Sequence, residues 1–326
     1  MSGDDFAALA ARLAGRPVER VEPVRGGGNN RLFRVTSGDV TFALKVYAGN
    51  AAESRERYAR EFAGLTFLWG RGERRIPEPL ALDPATQTAL YAWLAGDPGG
   101  AASDADLAAM CDFARTLFEA CADPAAATLA EAREAVLSAT MLGEQLTSRL
   151  ARLRQVEGEH AELRPVLADI AREAARRIPA GSTERALSRA NQTLSPSDFG
   201  THNALRTSGG LAFIDFEYFG WDDPVKLVAD VMWHPGMALA PAARQKFFAG
   251  AAEVYKVDSG FLSRFEREAP LYGLRWALIV LGEFLPEVWQ RRLAAGAAAD
   301  APAARARQLA KAAALVERAR RGAVVA

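Results

Sequence analysis

The chain has 326 residues, of which 50% are hydrophobic and 25% are charged. This is enough to bury a sizeable core and to form one large or two modest domains. Forty basic residues balance forty acidic ones, so the net charge gives no support for binding to nucleic acid or to an anionic membrane.

The start of the chain, MSGDDFAALAARLAG, is acidic and amphipathic. It lacks the basic start and continuous apolar run of a signal peptide, so we expect a cytoplasmic protein. The most apolar window begins at Tyr272 but is interrupted by Arg275 and Glu283, which favours a buried helix over a membrane span. Cys111 and Cys121 fall on one helical pattern, too far apart to form a disulfide with each other.

The N-terminal part predicts a small sheet. A short helix is expected over 4–15, and three β-rich runs over 18–48 turn at RGGGNN and SGD, which predicts an antiparallel meander. Residues 51–70 have apolar side chains at helical spacing, and two further short strands follow. The glycine-rich run at 96–100 is the predicted boundary between two domains.

Beyond this boundary most of the chain predicts helices, with breaks expected near Pro270 and Pro286. The exception is 194–220, where two β-like runs flank TSGG and predict a hairpin. The helical patterns cover 104–122, 126–155, 160–178, 240–256, 260–293 and 303–320.

Residues suited to phosphoryl transfer follow one another in the order found in kinases. A glycine-rich turn precedes a strand with Lys45, a helix with Glu61, an Asp198-x4-Asn203 loop and a hairpin that ends at Asp215. A lysine can bind nucleotide phosphates, a glutamate can hold that lysine, and an aspartate can accept the proton of an attacking hydroxyl. Asparagine and a second aspartate offer hard oxygen ligands for Mg²⁺.

These motifs together resemble the aminoglycoside phosphotransferase and choline kinase family of small-molecule kinases. GGGNNRLFRV resembles the first hairpin of that family, FALKVY its lysine strand, REFAGLTFLW its Arg-Glu helix, SDFGTHN its catalytic loop and FIDFEYFGWDDP its metal-binding segment. The resemblance implies an α+β, protein-kinase-like fold with two lobes. Residues 1–96 would form a nucleotide-binding lobe, a small antiparallel sheet with one helix, and residues 97–326 a mostly helical lobe with the catalytic loop, metal site and acceptor site.

The resemblance also implies the role of each candidate residue. The cofactors would be ATP and Mg²⁺, and the partner a small molecule with a hydroxyl group, such as a sugar, an amino-alcohol or an aminoglycoside-like compound. The implied roles are nucleotide binding for Gly26, Gly27, Gly28, Asn30, Lys45 and Glu61, general base for Asp198, and metal binding for Asn203 and Asp215.

The letters DFG at 198–200 also occur in protein kinases, where that aspartate binds magnesium. In that case an Asp-x4-Asn loop should lie about fifteen to twenty residues upstream, and RRIPAGSTERALSRANQ contains no aspartate. We therefore interpret Asp198 as the base and Asp215 as the metal ligand.

Two positions depart from the family pattern. Pro196 stands where the family usually has a histidine that braces the catalytic loop, and Leu227 stands where it often has an aspartate. The alternative function is therefore a catalytically weak, kinase-like protein that binds a nucleotide or a partner.

Several residues keep two interpretations. Glu217 could touch a second metal or only support the site. Trp276, Glu283 and Trp289 could contact the acceptor or belong to the core. Lys45 and Glu61 could form a surface ion pair of little energetic value.

Overall fold

The computed structural model describes residues 3–24, 30–47, 51–178, 185–294 and 300–325. Within these ranges an antiparallel sheet is followed by a larger helical region. The strands are β1 Arg20–Val24, β2 Asn30–Ser37, β3 Val40–Tyr47, β4 Pro79–Asp83, β5 Thr88–Ala92, β6 Asp97–Pro98, β7 Thr193–Ser195, β8 Ala204–Thr207, β9 Gly210–Phe213 and β10 Gly220–Asp222. The helices are α1 Gly3–Ala14, α2 Ala51–Gly70, α3 Asp104–Ala120, α4 Ala139–Arg154, α5 Leu163–Arg177, α6 Pro224–Trp233, α7 Pro241–Tyr255, α8 Phe261–Val280, α9 Pro286–Ala294 and α10 Ala301–Arg320.

The first sheet has the strand order β1-β2-β3-β5-β4, and all its neighbouring strands are antiparallel. Successive side chains of a strand point to opposite faces. Phe42 and Leu44 of β3 therefore pack with Phe6 of α1 on one face, whereas Tyr47 packs with Tyr58 of α2 on the other. Lys45 alternates with Leu44 and so lies on the face that α2 covers.

The architecture predicted from the sequence is confirmed in its main parts. The described residues form an α+β structure with the meander β1-β2-β3, helix α2 and two further strands. Helix α1 also packs on this sheet, so two helices cover it. The division at residue 96 stays a prediction.

The helical region is built around α8, which contacts α4, α6 and α10. The break predicted at Pro270 is wrong, because α8 runs through this residue. Leu271 and Tyr272 beside it are almost fully buried, and this packing offsets the backbone hydrogen bond that proline cannot make. The break predicted at Pro286 is present, since a 3₁₀ turn over Leu281–Phe284 separates α8 from α9. None of the described helices is long and apolar enough to span a bilayer.

The helix predicted over 126–155 begins only at Ala139. Between 129 and 138 the chain is instead irregular, although its residues are good helix formers. Its backbone bonds to a distant segment: the N–H of Ala132 donates to the carbonyl of Trp221, and the N–H of Val136 donates to Oδ1 of Asp222. These tertiary hydrogen bonds override the local preference.

The hairpin predicted within 194–220 is present as β8 and β9. Strand β6 pairs with β8, and the N–H of Gly99 donates to the carbonyl of Ala204. A Cβ atom at Gly99 would lie 2.3 Å from the carbonyl oxygen of Thr201. The glycine-rich run therefore packs directly against the segment that contains Asn203.

Gly99→Ala should destabilise the protein by about 1–3 kcal/mol, because the new methyl group would overlap with a backbone oxygen. Gly158→Ala is the matched control, since a Cβ atom there meets no heavy atom within 4 Å. Chemical unfolding of both variants measures the difference. Equal stability of the two variants would show that the chain can relax around position 99.

Candidate active site

Lys45 lies at the centre of an ion-pair network that joins three parts of the chain. Its Nζ donates to Oε2 of Glu61 on α2 and to Oδ1 of Asp215 after β9, at 2.7 Å in each case. Burial opposes the charge of Lys45, but Asp215 and Glu61 outweigh burial and raise its pKa. The Lys45 side chain is only 12% exposed, so this is a mostly buried pair and not a surface one.

Two tyrosines that the sequence did not single out support Glu61. The hydroxyl of Tyr47 donates to Oε2 of Glu61 at 2.6 Å and lies 2.8 Å from the hydroxyl of Tyr91. Burial first, and then the charge of Glu61, raises the pKa of both hydroxyls, which keeps them protonated. Tyr47 follows Lys45 by two positions in β3, so strand alternation could have placed it on the same face.

Glu217 is held by two other residues of the N-terminal part. Its Oε2 accepts from Nδ2 of Asn30 at 2.7 Å and from a guanidinium nitrogen of Arg57 at 3.1 Å. Arg57 precedes Glu61 by one helical turn and is buried on the same face of α2. This four-residue spacing could have pointed to Arg57 from the sequence alone. Asn30 therefore ties the start of β2 to the segment after β9. The predicted residues Gly26, Gly27 and Gly28 lie outside the described residues.

Asp198 and Asn203 face each other across the predicted catalytic loop. Nδ2 of Asn203 donates to the backbone oxygen of Asp198 at 2.9 Å and to Oδ2 of Asp198 at 3.0 Å. The N–H of Ile214 donates to the carbonyl of Asn203 at 2.9 Å, so Asn203 is beside the segment that contains Asp215.

The residues predicted to bind magnesium fit that role chemically. Because the amide nitrogen of Asn203 bonds to Asp198, its oxygen is left to accept or to bind a cation. Asp215 adds a carboxylate that is 39% exposed, and hard oxygen ligands of this kind suit Mg²⁺. Asp215 has φ of 66°, a backbone conformation that is uncommon for residues other than glycine and is concentrated at functional sites.

Two histidines contact the Asp198 carboxylate. Nε2 of His202 is 2.9 Å from Oδ1 of Asp198, and Nε2 of His234 is 3.7 Å from the same oxygen. Burial opposes the ionised carboxylate, but the hydrogen bonds and charges of His202 and the neighbouring His234 and Asn203 lower the pKa of Asp198 to about 2. Asp198 is therefore ionised at neutral pH.

The two histidine rings stack in parallel, with centroids 3.8 Å apart and an interplanar angle of 5°. Their Nε2 lone pairs therefore do not converge on one point, although both nitrogens and the Asp198 carboxylate lie close enough to suggest a metal site. Nδ1 of His234 accepts from the N–H of Gly236, which assigns the proton of the neutral ring to Nε2, facing Asp198. Gly200 permits this arrangement, because a Cβ atom there would lie 2.6 Å from the His202 ring.

A tight turn at Pro196 precedes Asp198. The N–H of Asp198 donates to the carbonyl of Pro196, and Ser197 between them has φ of 68°. The hydroxyl of Ser197 accepts from Nζ of Lys226 at 2.8 Å. This lysine of α6 is fully buried, and no sequence pattern pointed to it.

Two aspartates neutralise Lys226. Its Nζ lies 2.9 Å from Asp222 and 3.2 Å from Asp230. Burial opposes the charge of Lys226, but these aspartates raise its pKa. Lys226 of α6 therefore supports the catalytic loop next to Pro196, the position at which the family usually has its bracing histidine.

A cavity of about 970 Å³ opens beside Asp198. Ser197, His234 and Trp276 line it, whereas Lys45 and Asp215 do not. Glu283 and Trp289, the other two residues with an open role, are buried and do not line the cavity. Of the three, only Trp276 is therefore in a position to meet an acceptor in this cavity.

A scan of family models matches residues 20–261 to the phosphotransferase enzyme family. The chain belongs to this family. The match covers Lys45, Glu61, Asp198, Asn203 and Asp215, and the protein is a phosphotransferase of the small-molecule kinase type. A search of curated proteins finds no match.

Solved structures confirm the protein-kinase-like fold of this phosphotransferase. It superimposes on a spectinomycin phosphotransferase in complex with ADP and spectinomycin with a TM-score of 0.60, 14% identity and 98% of each chain covered. A choline kinase from Cryptosporidium parvum gives a TM-score of 0.61, 12% identity and 97% of each chain covered. A choline/ethanolamine kinase family protein from Mesorhizobium loti gives a TM-score of 0.57 and 19% identity, with 100% of this chain and 99% of the other covered.

His234→Gln should flatten the pH dependence of stability between about pH 4 and 6.5. Burial, followed by the repulsion of His202, lowers the pKa of His234 from 6.5 to about 4. In this window the unfolded chain binds a proton that the folded chain does not, so stability falls as the pH falls. The full shift corresponds to about 3 kcal/mol.

Chemical unfolding inside and above this pH window measures the slope for the parent and the variant. His160→Gln controls for the loss of a histidine outside the cluster. A variant at position 234 that keeps the parent slope would contradict the assignment of this slope to His234.

Lys226→Met should destabilise the protein by about 3–5 kcal/mol, because Asp222 and Asp230 would keep buried charges without this partner. Lys246→Met, which breaks an exposed pair with Asp104, is the matched control and should cost at most about 1 kcal/mol. The free energies of unfolding of both variants test this. A small effect at Lys226 would mean that Arg275 and water compensate.

Proposed function

We propose that this phosphotransferase transfers the γ-phosphate of ATP, with Mg²⁺, to a hydroxyl group of a small molecule. The observation that carries the proposal is the contact of Lys45 with Glu61 and Asp215, at 2.7 Å each. Kinases use such a lysine to hold nucleotide phosphates and such an aspartate to hold the metal. In the proposed complex the adenine contacts the chain around 92–95 and the phosphates lie under Gly26, Gly27 and Gly28.

Lys45 supplies a fixed positive charge for the phosphates, and Glu61 orients it. Asn203 and Asp215 would hold Mg²⁺, which neutralises charge on the transferring phosphoryl group. Asn30 would act through Glu217, which it binds, and would keep the start of β2 close to the metal ligands. When no nucleotide phosphate is bound, Lys45 keeps its ion pairs with Glu61 and Asp215.

Asp198 is proposed as the base that orients the acceptor hydroxyl and accepts its proton. Its carboxylate is ionised at neutral pH, since its pKa is lowered to about 2. Such a weak base accepts the proton as the bond to phosphorus forms and not before, so orientation is its larger contribution. Nδ2 of Asn203 and Nε2 of His202 fix the orientation of this carboxylate.

The cavity beside Asp198 supports a small molecule as the acceptor. Only seven residues separate Asp215 from Asp223, too few for the long activation segment on which protein kinases dock their substrates. A sugar, an amino-alcohol and an aminoglycoside-like compound fit this description equally. The cytoplasmic location predicted from the sequence is part of the proposal.

The second candidate function is a catalytically weak protein that binds a nucleotide or a partner. The reason to consider it is Pro196, which stands where the family usually has a histidine. The contacts of Lys226 with Ser197 and of His202 with Asp198 favour the enzyme, because they hold the loop by other means.

Asp198→Asn should lower turnover by about 10²–10⁴-fold while ATP·Mg²⁺ still binds, because the variant loses the base and keeps the nucleotide site. A screen for ATP consumption over sugars, amino-alcohols and aminoglycosides, followed by kinetics with the best acceptor, measures this. Lys45→Ala should weaken ATP binding itself.

Two results would count against the enzyme. Equal binding of ATP·Mg²⁺ to the parent and to Lys45→Ala would contradict the assignment of the nucleotide site to Lys45. ATP that binds normally but supports no turnover with any acceptor class would favour the binding protein.

A further inference from the structure

The cavity beside Asp198 has a distinctive charge arrangement. Its role as the acceptor site, and so the identity of its ligand, rests on the proposed function. Helices α4, α8 and α9 supply much of its wall. Six of the lining residues are arginines, namely Arg133, Arg149, Arg152, Arg275, Arg291 and Arg292. An acceptor that occupies this cavity would therefore lie among guanidinium groups.

The inner carboxylates of the wall already have cationic partners. Glu134 binds Arg149 at 2.7 Å and Arg275 at 3.2 Å. Asp230 accepts from Arg275 and from the indole N–H of Trp276, and it also lies 3.2 Å from buried Lys226. The protein's own cations therefore already balance both carboxylates, which weakens their attraction for an ammonium group of an acceptor.

The outer carboxylates are paired as well. Glu287 binds Arg152 at 2.7 Å, and Glu53 lies 3.8 Å from Arg133. Among the described lining residues this leaves Asp198, which is engaged with His202 and Asn203. A polycationic acceptor is best bound by carboxylates without a cationic partner, and each of these four carboxylates has an arginine or a lysine within 4 Å.

Guanidinium groups, by contrast, have unused donors. Arg291 donates only to the backbone oxygen of Glu287, at 3.4 Å, and has no carboxylate partner among the described residues. Arg152 and Arg149 each use one nitrogen on a carboxylate, although a guanidinium has five N–H donors. Such donors form paired hydrogen bonds with carboxylates and phosphates.

Three of these arginines lie close to one another. Arg149 and Arg152 are one turn apart on α4, and both Arg152 and Arg291 contact Glu287. Burial, and then the repulsion of Arg275 and Arg152, lowers the pKa of Arg149 although Glu134 acts in the opposite sense. By geometry, Arg149 and Arg275 share Oε2 of one carboxylate, that of Glu134.

We propose that the acceptor carries an anionic group, a carboxylate or a phosphate ester, in addition to the hydroxyl that is phosphorylated. Arg149, Arg152 and Arg291 bind this group while Asp198 orients the hydroxyl. The anion completes the charge balance of the wall, and Trp276 packs against the carbon skeleton between the two ends. A hydroxy acid or a sugar phosphate has this chemistry, and an aminoglycoside has the opposite charge.

The test is a charge series of similar six-carbon polyols. Glucosamine, glucose, gluconate and glucose 6-phosphate are compared for binding to the full chain with ADP and Mg²⁺ present, at constant ionic strength adjusted with sodium chloride. Gluconate or glucose 6-phosphate should bind about tenfold or more tightly than glucose, with glucosamine the weakest. The gluconate and glucose 6-phosphate arms distinguish a carboxylate from a phosphate.

Arg152→Gln should remove most of the advantage of the anion over glucose. Its side chain is 50% exposed, so this variant should fold even if Arg149→Gln does not. Arg172→Gln is the matched control, because Arg172 is exposed on α5, pairs with Asp169 and lies outside the cavity.

Tightest binding of glucosamine, or no preference for either anion over glucose, would overturn the proposal. An anion preference that Arg152→Gln leaves intact would also overturn it. Binding of ATP·Mg²⁺ is measured in parallel, so that loss of the nucleotide site, which would defeat the proposed function, is recognised separately from a wrong acceptor charge.

Discussion

The contact of Lys45 with Glu61 and Asp215 is the interaction on which the site depends. It joins β3, α2 and the segment after β9 through one mostly buried ammonium group. A buried charge is costly unless it is paired and hydrogen-bonded. If any of the three parts moved far, a buried charge would lose its partner. The hydroxyl of Tyr47 adds a further contact to Glu61, which fixes α2 against the sheet. The proposed nucleotide end of the site is therefore held by the same forces that hold the sheet to the helical region.

A second buried lysine performs a comparable task at the proposed acceptor end. Lys226 holds Ser197, the residue between Pro196 and Asp198, while two aspartates neutralise its charge. Pro196 and Leu227, the two departures from the family pattern, are the sequence neighbours of Ser197 and Lys226. The two departures are thus each adjacent in sequence to one end of the same contact. The loop is braced from α6 and by the stacked histidines, and not from the position at which the family usually has its histidine.

The sequence predicted what local patterns determine. Alternation in β3, helical spacing over 51–70 and the turn residues TSGG each fixed an element, and the order of the motifs identified the family. Distant contacts had no such signal. The helix-forming residues at 129–138 are held outside a helix by hydrogen bonds to Trp221 and Asp222, and α8 continues through Pro270 because its surroundings are packed. For the same reason no local pattern points to His234 as a partner of Asp198, although its ring lies beside that carboxylate, 36 residues away in sequence.

The neutral net charge illustrates why composition alone says little about a small-molecule acceptor. Forty charges of each sign describe the whole chain, whereas an acceptor meets only the wall of one cavity. What matters there is which charges are already paired within the protein. The carboxylates of that wall are paired with arginines and with Lys226, so they contribute little attraction for a cation. Arg291, by contrast, has no carboxylate partner among the described residues, and Arg152 uses one nitrogen on a carboxylate. A balanced chain can in this way present a locally positive site, because pairing decides how strongly each charge acts on a ligand.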